Sequence, residues 1–293
     1  MSCCPPGSIG FSRTTPAVVN GTMLELEAAA VENSNKVCRP AMPCYTTGSG
    51  TSHVILVFSD VYGMETGNHK SFCDTLSARL NDATVLMPDM FRGDPILVPW
   101  FQTWLSEGAG SCLAYLRMVY KLKFHYPATV PLQDIEEVIL PYIHTNFPSA
   151  HISCVGFCFG GWVVGNILAS PTLNNILTVG VGIHPSFEPE YVHGSKPERL
   201  AARIAQDGKL GSTTRLLLLA ARNDEHMHPS SPSVQLMESA QHDKQEADAI
   251  SIVFEDMLHG WVSRGDGEAD PNVADQQEKA ISLAVDFLER HTP

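Results

Sequence analysis

The segment Gly156-Phe157-Cys158-Phe159-Gly160-Gly161 follows directly on the run His151-Ile152-Ser153-Cys154-Val155 and leads into a mostly apolar stretch from Trp162 to Ala169. Glycines two before and two after one reactive residue suit a strand-to-helix turn so tight that larger side chains there would clash. A chain built around such a turn needs a buried strand ahead of it and a helix behind it. That is the repeating step of a parallel sheet.

The rest of the chain keeps to that rhythm. His53–Phe58, Ala83–Met87, Leu177–Ile183, Thr214–Ala220 and Ala249–Phe254 read as strands, several of them continuous apolar runs without a polar alternate. Between them, Asn68–Leu80, Leu132–Phe147, Pro189–Gln206, Val234–Ala240 and Val273–His291 carry helical patterns. Phe72, Leu76 and Leu80 share one helical face, and Ile135, Val138, Ile139, Tyr142 and Ile143 share another. Pro141 is expected to kink the second of these helices and Pro148 to close it. Gly21–Glu27 alternates like an edge strand, with Val37–Tyr45 as its expected hairpin partner despite Pro40 and Pro43. Trp100–His125 reads as helix broken near Gly108-Ala109-Gly110, an insertion or lid. The expected class is α/β, a mostly parallel, doubly wound sheet flanked by helices. Residues 1–20 read as an arm and 21–293 as a single domain. No GxGxxG follows the first strand and no GxxxxGK[ST] occurs, so two nucleotide-binding folds lose support.

Composition narrows the function. The net charge of −13 opposes nucleic-acid binding, which needs a basic face. No run approaches the ~18 apolar residues of a membrane span, and the N-terminus lacks the basic and apolar regions of a secretory signal. The expectation is a cytoplasmic protein, monomer or homodimer, with reduced thiols. None of the eight cysteines stands in zinc-finger spacing, and a chain of 293 residues needs no disulfide framework. Cys3 and Cys4 are candidates for palmitoylation, but no second membrane signal accompanies them.

Cys158 is therefore the cysteine to explain. A thiol at a helix N-terminus gains from the helix dipole, and thiolate is the nucleophilic form. The competing reading is a structural Cys in a glycine-rich turn. Two residues weigh against that reading. Asp224 follows the strand Leu216–Ala220, and His259 follows the strand ending at Phe254. Both lie at C-terminal strand ends, where α/β sheets place ligands. Nucleophile, acid and histidine come in the order used by α/β-hydrolases. His259 would be the base and Asp224 its orienting carboxylate, with Glu225 a neighbouring competitor.

The chain resembles the dienelactone hydrolase family in its eukaryotic form, from about Gly21 to the last helix. The resemblance rests on Ser59-Asp60-Val61-Tyr62-Gly63, Pro88-Asp89-Met90-Phe91-Arg92-Gly93, the Gly156–Gly161 turn, His184-Pro185-Ser186, Ala221–Asp224, and His259-Gly260-Trp261 with Arg264. It implies an α/β-hydrolase fold, a Cys158-Asp224-His259 triad, no metal and no cofactor. The implied reaction is hydrolysis of small esters or lactones, with cyclic dienelactones as type substrates. It also implies an oxyanion hole from the backbone N–H groups of Phe159 and Val61, and a carboxylate grip by Arg92 and Arg264. Where family members place a Glu against the resting thiol, this chain has Asp60, one methylene shorter.

Two other readings stand beside this one. A Gly-x-Cys-x-Gly turn also occurs in glutamine amidotransferases, although the later Asp and His positions disfavour them. A catalytically silent, hydrolase-like scaffold used for binding or redox sensing would keep the same turn, because an exposed thiol of low pKa is also oxidisable.

Overall fold

The computed structural model describes residues 8, 19–28, 40–97, 109–206, 210, 213–241 and 250–292. Cys3, Cys4, Cys38, nearly all of the 1–20 arm and residues 100–108 of the expected lid lie outside the described residues. Eight strands form one sheet in the order β1-β2-β4-β3-β5-β6-β7-β8. They are β1 (Thr22–Leu26), β2 (Met42–Gly48), β3 (His53–Phe58), β4 (Ala83–Pro88), β5 (His151–Phe157), β6 (Leu177–Ile183), β7 (Arg215–Ala221) and β8 (Ser251–Phe254). From β4 across to β8 every pairing is parallel. β1 and β2 join antiparallel, as the edge of the sheet.

The continuous apolar runs are explained by two separate cores, one on each sheet face. Val54, Leu56 and Phe58 of β3 face one core, and Ile55 and Val57 face the other. β7 divides the same way, with Leu216, Leu218 and Ala220 against Leu217, Leu219 and Ala221. The first core is filled from above by Ile135, Ile139, Trp162, Ile167, Leu200 and Val234. The second is filled by Phe72 and Leu76 of helix His69–Arg79 and by Ala280, Ala284 and Phe287 of helix Pro271–His291. With helices on both faces, neither register offers a polar side, so alternation disappears from the central strands.

Two expectations need correction. The antiparallel partner of β1 holds over Met42–Tyr45 of the expected Val37–Tyr45 but differs in its bounds. β2 begins at Met42 and continues to Gly48, because its far half must also pair with β4. Leu132–Phe147 is not one helix kinked at Pro141. Helix starts at Thr129, widens to a π turn over Ile135–Ile139, and resumes over Leu140–Asn146. The π turn lies just before Pro141, whose missing N–H removes one bond from the regular ladder. A second π turn, Lys121–His125, follows helix Ala109–Tyr120.

The turn after β5 is set by close backbone contact. A Cβ on Gly156 would lie 2.1 Å from the Gly160 oxygen, and one on Gly160 would lie 2.2 Å from the Phe58 oxygen. Helix Phe159–Leu168 thus presses its first turn onto the ends of β3 and β5. Gly93 offers a contrast: its φ is +79°, but a Cβ there meets nothing within 4 Å. Gly93→Ala is expected to cost only the backbone strain, about 1–2 kcal/mol. Gly156→Ala and Gly160→Ala must also push backbone apart and are expected to cost more. Urea unfolding of the three variants gives the comparison, and equal losses would refute the contact argument.

Candidate active site

Cys158 is the N-cap of helix Phe159–Leu168 and holds φ 51°, ψ −110°. A non-glycine residue at positive φ is held only where its surroundings over-determine it. Here the Cys158 N–H donates to the Ile183 oxygen at 3.2 Å, and its carbonyl accepts from Gly161 N–H at 2.9 Å and Ser186 N–H at 3.1 Å. The residue is fully buried. The Phe159 ring packs between those of Phe91 and Trp162, at 5.6 and 5.4 Å.

At the other described thiols burial is the largest influence, and it favours the protonated form. Burial pushes Cys154 up to about 12, and raises Cys44 and Cys73 well above the ordinary thiol value. These three sit within the sheet and in helix His69–Arg79, away from the strand ends.

β7 and β8 bring the acid and the histidine together. His259 Nδ1 and Asp224 Oδ1 are 2.6 Å apart, both buried. Asp224 is itself fixed, since its Oδ2 accepts the Ala221 N–H at 2.7 Å. Asn223 Oδ1 accepts the His259 N–H at 2.7 Å and holds the backbone of the histidine loop. Glu225 points into an exposed turn, so Asp224 is the partner of the histidine. With a carboxylate accepting at Nδ1, that nitrogen carries a proton.

A second histidine lies against the first. The His184 ring meets the His259 ring edge-on at 4.9 Å, and its φ of 37° is also positive. His184 Nε2 and Ser263 Oγ are 3.2 Å apart, and Ser263 Oγ is 3.2 Å from Asp60 Oδ2. Asp60 accepts only, so the serine proton goes to it and the His184 Nε2–H donates to the serine oxygen. The sequence marked His184 only as part of a resembling segment, and Ser263 carried no signal.

Asp60 is fully buried. Its Oδ1 accepts the Tyr62 N–H at 2.9 Å, and its Oδ2 accepts from the Arg264 guanidinium. The His69 ring lies beside it. Its Nδ1 donates to the Thr66 carbonyl at 2.7 Å, so Nε2 is left to accept the Asp60 N–H at 3.4 Å. The 3.8 Å approach of that Nε2 to the carboxylate is therefore not an ion pair. Val61 is in the following turn, where the Gly63 N–H donates to the Asp60 oxygen at 3.1 Å.

A family model described as the dienelactone hydrolase family matches residues 42–292. The chain belongs to that family. A hydrolase of Aspergillus violaceofuscus, pyvD, is 30% identical over 175 residues, covering 57% of this chain and 61% of that relative. The chain thus spans about three fifths of the length of the curated relative it matches. Solved structures share the fold at low identity. The acylaminoacyl peptidase of Pyrococcus horikoshii superposes with TM-score 0.57 at 12% identity, over 94% of this chain and 42% of that one. A cold-adapted esterase from an Arctic intertidal metagenomic library gives 0.52 at 14% identity, over 97% and 100%.

Within this family member, the two arginines expected to grip a substrate carboxylate already hold carboxylates of the chain. Arg264 is 1% exposed and pairs with Asp60. Arg92 binds Asp134 through two nitrogens at 3.0 and 2.9 Å, a forked arrangement, with φ 49°. Asp134, the last residue of the helix that starts at Thr129 and runs into the π turn Ile135–Ile139, was not among the residues the sequence singled out. No helix among the described residues is long and apolar enough to cross a membrane.

Asp60→Ala leaves the Arg264 guanidinium buried without its counter-charge, and is expected to cost about 3–5 kcal/mol. Arg264→Met added to that background should recover part of the loss. Denaturant unfolding of both single variants and the double variant measures the coupling. Simple additivity would show that the pair does not hold these loops.

Proposed function

We propose that the protein hydrolyses small esters or lactones through an acyl-enzyme formed on Cys158. The observation that carries this reading is the buried 2.6 Å contact between His259 Nδ1 and Asp224, at the strand ends where Cys158 occupies its strained turn. Asp224 keeps the His259 proton on Nδ1, which leaves Nε2 as the base for the thiol. Cys158 Sγ attacks the acyl carbon and the carbonyl π bond opens to an oxyanion. The backbone N–H groups of Phe159 and Val61 receive that oxyanion. His259 returns its proton to the departing alkoxide as the C–O bond breaks. Water, deprotonated by His259, then cleaves the thioester and restores the thiol.

Asp60 has a different part in this reading from a carboxylate resting on the thiol. Its oxygens are engaged by Tyr62, Ser263 and Arg264, so it shapes the turn that carries Val61. Dienelactone itself, which bears a carboxylate, is not favoured by this arrangement.

Cys158→Ala is expected to abolish turnover of p-nitrophenyl acetate and the accompanying burst, while the thermal midpoint moves little. Asp224→Asn should keep the fold and lower kcat by about 10²–10⁴ by releasing the histidine tautomer. Full activity in Cys158→Ala would sink the mechanism. Folded wild-type protein with neither burst nor turnover on any ester would favour a silent scaffold.

A further inference from the structure

The reading above makes His259 the base, and a further side chain stands where it can hold that ring. Asp224 fixes His259 at Nδ1, and Asn223 fixes its backbone N–H. A bond at one corner of an imidazole leaves the tilt of the ring open. In this reading Nε2 meets the thiol, and Nε2 is displaced when the ring tilts. The His184 ring lies edge-on to His259 at 4.9 Å, with 68° between the planes, and limits that tilt.

His184 is itself tightly fixed. It is fully buried, with the Trp261 ring edge-on at 5.4 Å and the Phe157 ring tilted at 5.7 Å. Its N–H donates to the Leu219 oxygen at 2.7 Å. Its Nε2–H donates to Ser263 Oγ at 3.2 Å, and the Ser263 hydroxyl donates to Asp60. These contacts hold the residue at its positive φ of 37°. The same segment also grips the turn of the nucleophile. Ile183, one residue before, accepts the Cys158 N–H at 3.2 Å, and the Ser186 N–H, two residues after, donates to the Cys158 carbonyl at 3.1 Å. Pro185 packs onto the first turn of the helix that Cys158 caps, so close that a Cβ on Gly161 would lie 2.5 Å from its side chain. Four consecutive residues therefore hold the backbone of Cys158 and, through His184, the ring of the base.

Resting on the hydrolase reading above, we infer that His184 is a positioning residue that sets the tilt of His259 against Cys158, and that it is held to this task by the chain His184–Ser263–Asp60. It acts through His259. Both the attack of the thiol and the later attack of water use that one nitrogen, so a small misplacement of the ring slows turnover while substrate binding is left nearly as it was.

The test measures p-nitrophenyl acetate turnover in His184→Phe, in Ser263→Ala and in the double variant, with thermal midpoints to establish folding. His184→Phe is expected to lower kcat by about tenfold or more and Ser263→Ala by about threefold or more, with KM within about twofold of wild type. The double variant should be no slower than His184→Phe, because both changes cut one chain. If His184→Phe does not fold, Ser263→Ala, which removes a single hydroxyl, decides alone. A second readout needs no turnover: solvent exchange of the His259 Nδ1 proton, followed by proton NMR and assigned by its loss in His259→Gln. Exchange is expected to quicken by about threefold or more in both single variants. A kcat within about twofold of wild type in the folded variants, a raised KM in place of a lowered kcat, losses that multiply in the double variant, or an unmoved exchange rate would overturn the inference. Absence of turnover in the wild type would overturn the hydrolase reading instead, and the exchange rates would still decide whether His184 positions His259.

Discussion

The buried carboxylate of Asp60 holds the C-terminal edge of the sheet together. It lies at the C-terminal end of β3 and accepts from the Tyr62 N–H, the Ser263 hydroxyl and the Arg264 guanidinium. A carboxylate without solvent is costly unless its lone pairs are met, so these donors must come to it. Their coming brings the loop after β3 onto the segment that follows His259. Other contacts sew the same seam. The Asn68 N–H donates to the Ser263 oxygen at 2.8 Å, and the Asn68 side-chain amide reaches the Val262 and Gly265 oxygens. Gly67, at φ 64°, passes so close that a Cβ would lie 2.0 Å from the Ser263 oxygen. Gly260, at φ 96°, makes room in the same way for the Arg264 guanidinium. The turn bearing Val61 and the loop bearing His259 are thus positioned by one buried charge pair and its surroundings.

That seam also explains how two histidines share the site. His184 reaches Asp60 through Ser263 while its ring lies edge-on to His259. His259 faces Asp224 from the other side. Each ring is therefore oriented by a different carboxylate. The two carboxylates sit on loops after β3 and β7, strands that do not touch in the sheet. Only the fold, with β5 and β6 between them, sets the spacing at which both orientations hold.

Much of this was legible in the sequence, and the boundary follows a physical line. Strands buried on both faces show themselves as unbroken apolar runs, so β3 and β6 coincide with their expected limits. The strand-end positions of Asp224 and His259 follow from where such runs stop. Features decided by partners far along the chain leave no such signature. β2 extends because it must satisfy β4 as well as β1. The π turn at Ile135–Ile139 depends on a backbone ladder that periodicity does not record. Arg264 and Asp60 are 204 positions apart, and Arg92 and Asp134 are 42 apart, so no local pattern announces either pair. An arginine in a loop reads the same whether it awaits a ligand or holds the loop.

The acidic balance of the chain gives that ambiguity a direction. With 32 acidic residues against 19 Lys and Arg, carboxylates outnumber the cations available to pair with them. Other described cations follow the same pattern: Lys121 and Arg117 both meet Asp94, and Arg79 meets Glu278. In a chain so composed, a buried guanidinium finds an internal carboxylate before any ligand arrives. Burial then raises the cost of parting such a pair, because either charge alone is poorly solvated. A positive patch for an anionic substrate would need a cation in excess of its neighbours. At Arg92 and Arg264 the geometry supplies a matched carboxylate, Asp134 and Asp60, and the two pairs join the loops from which the site is built.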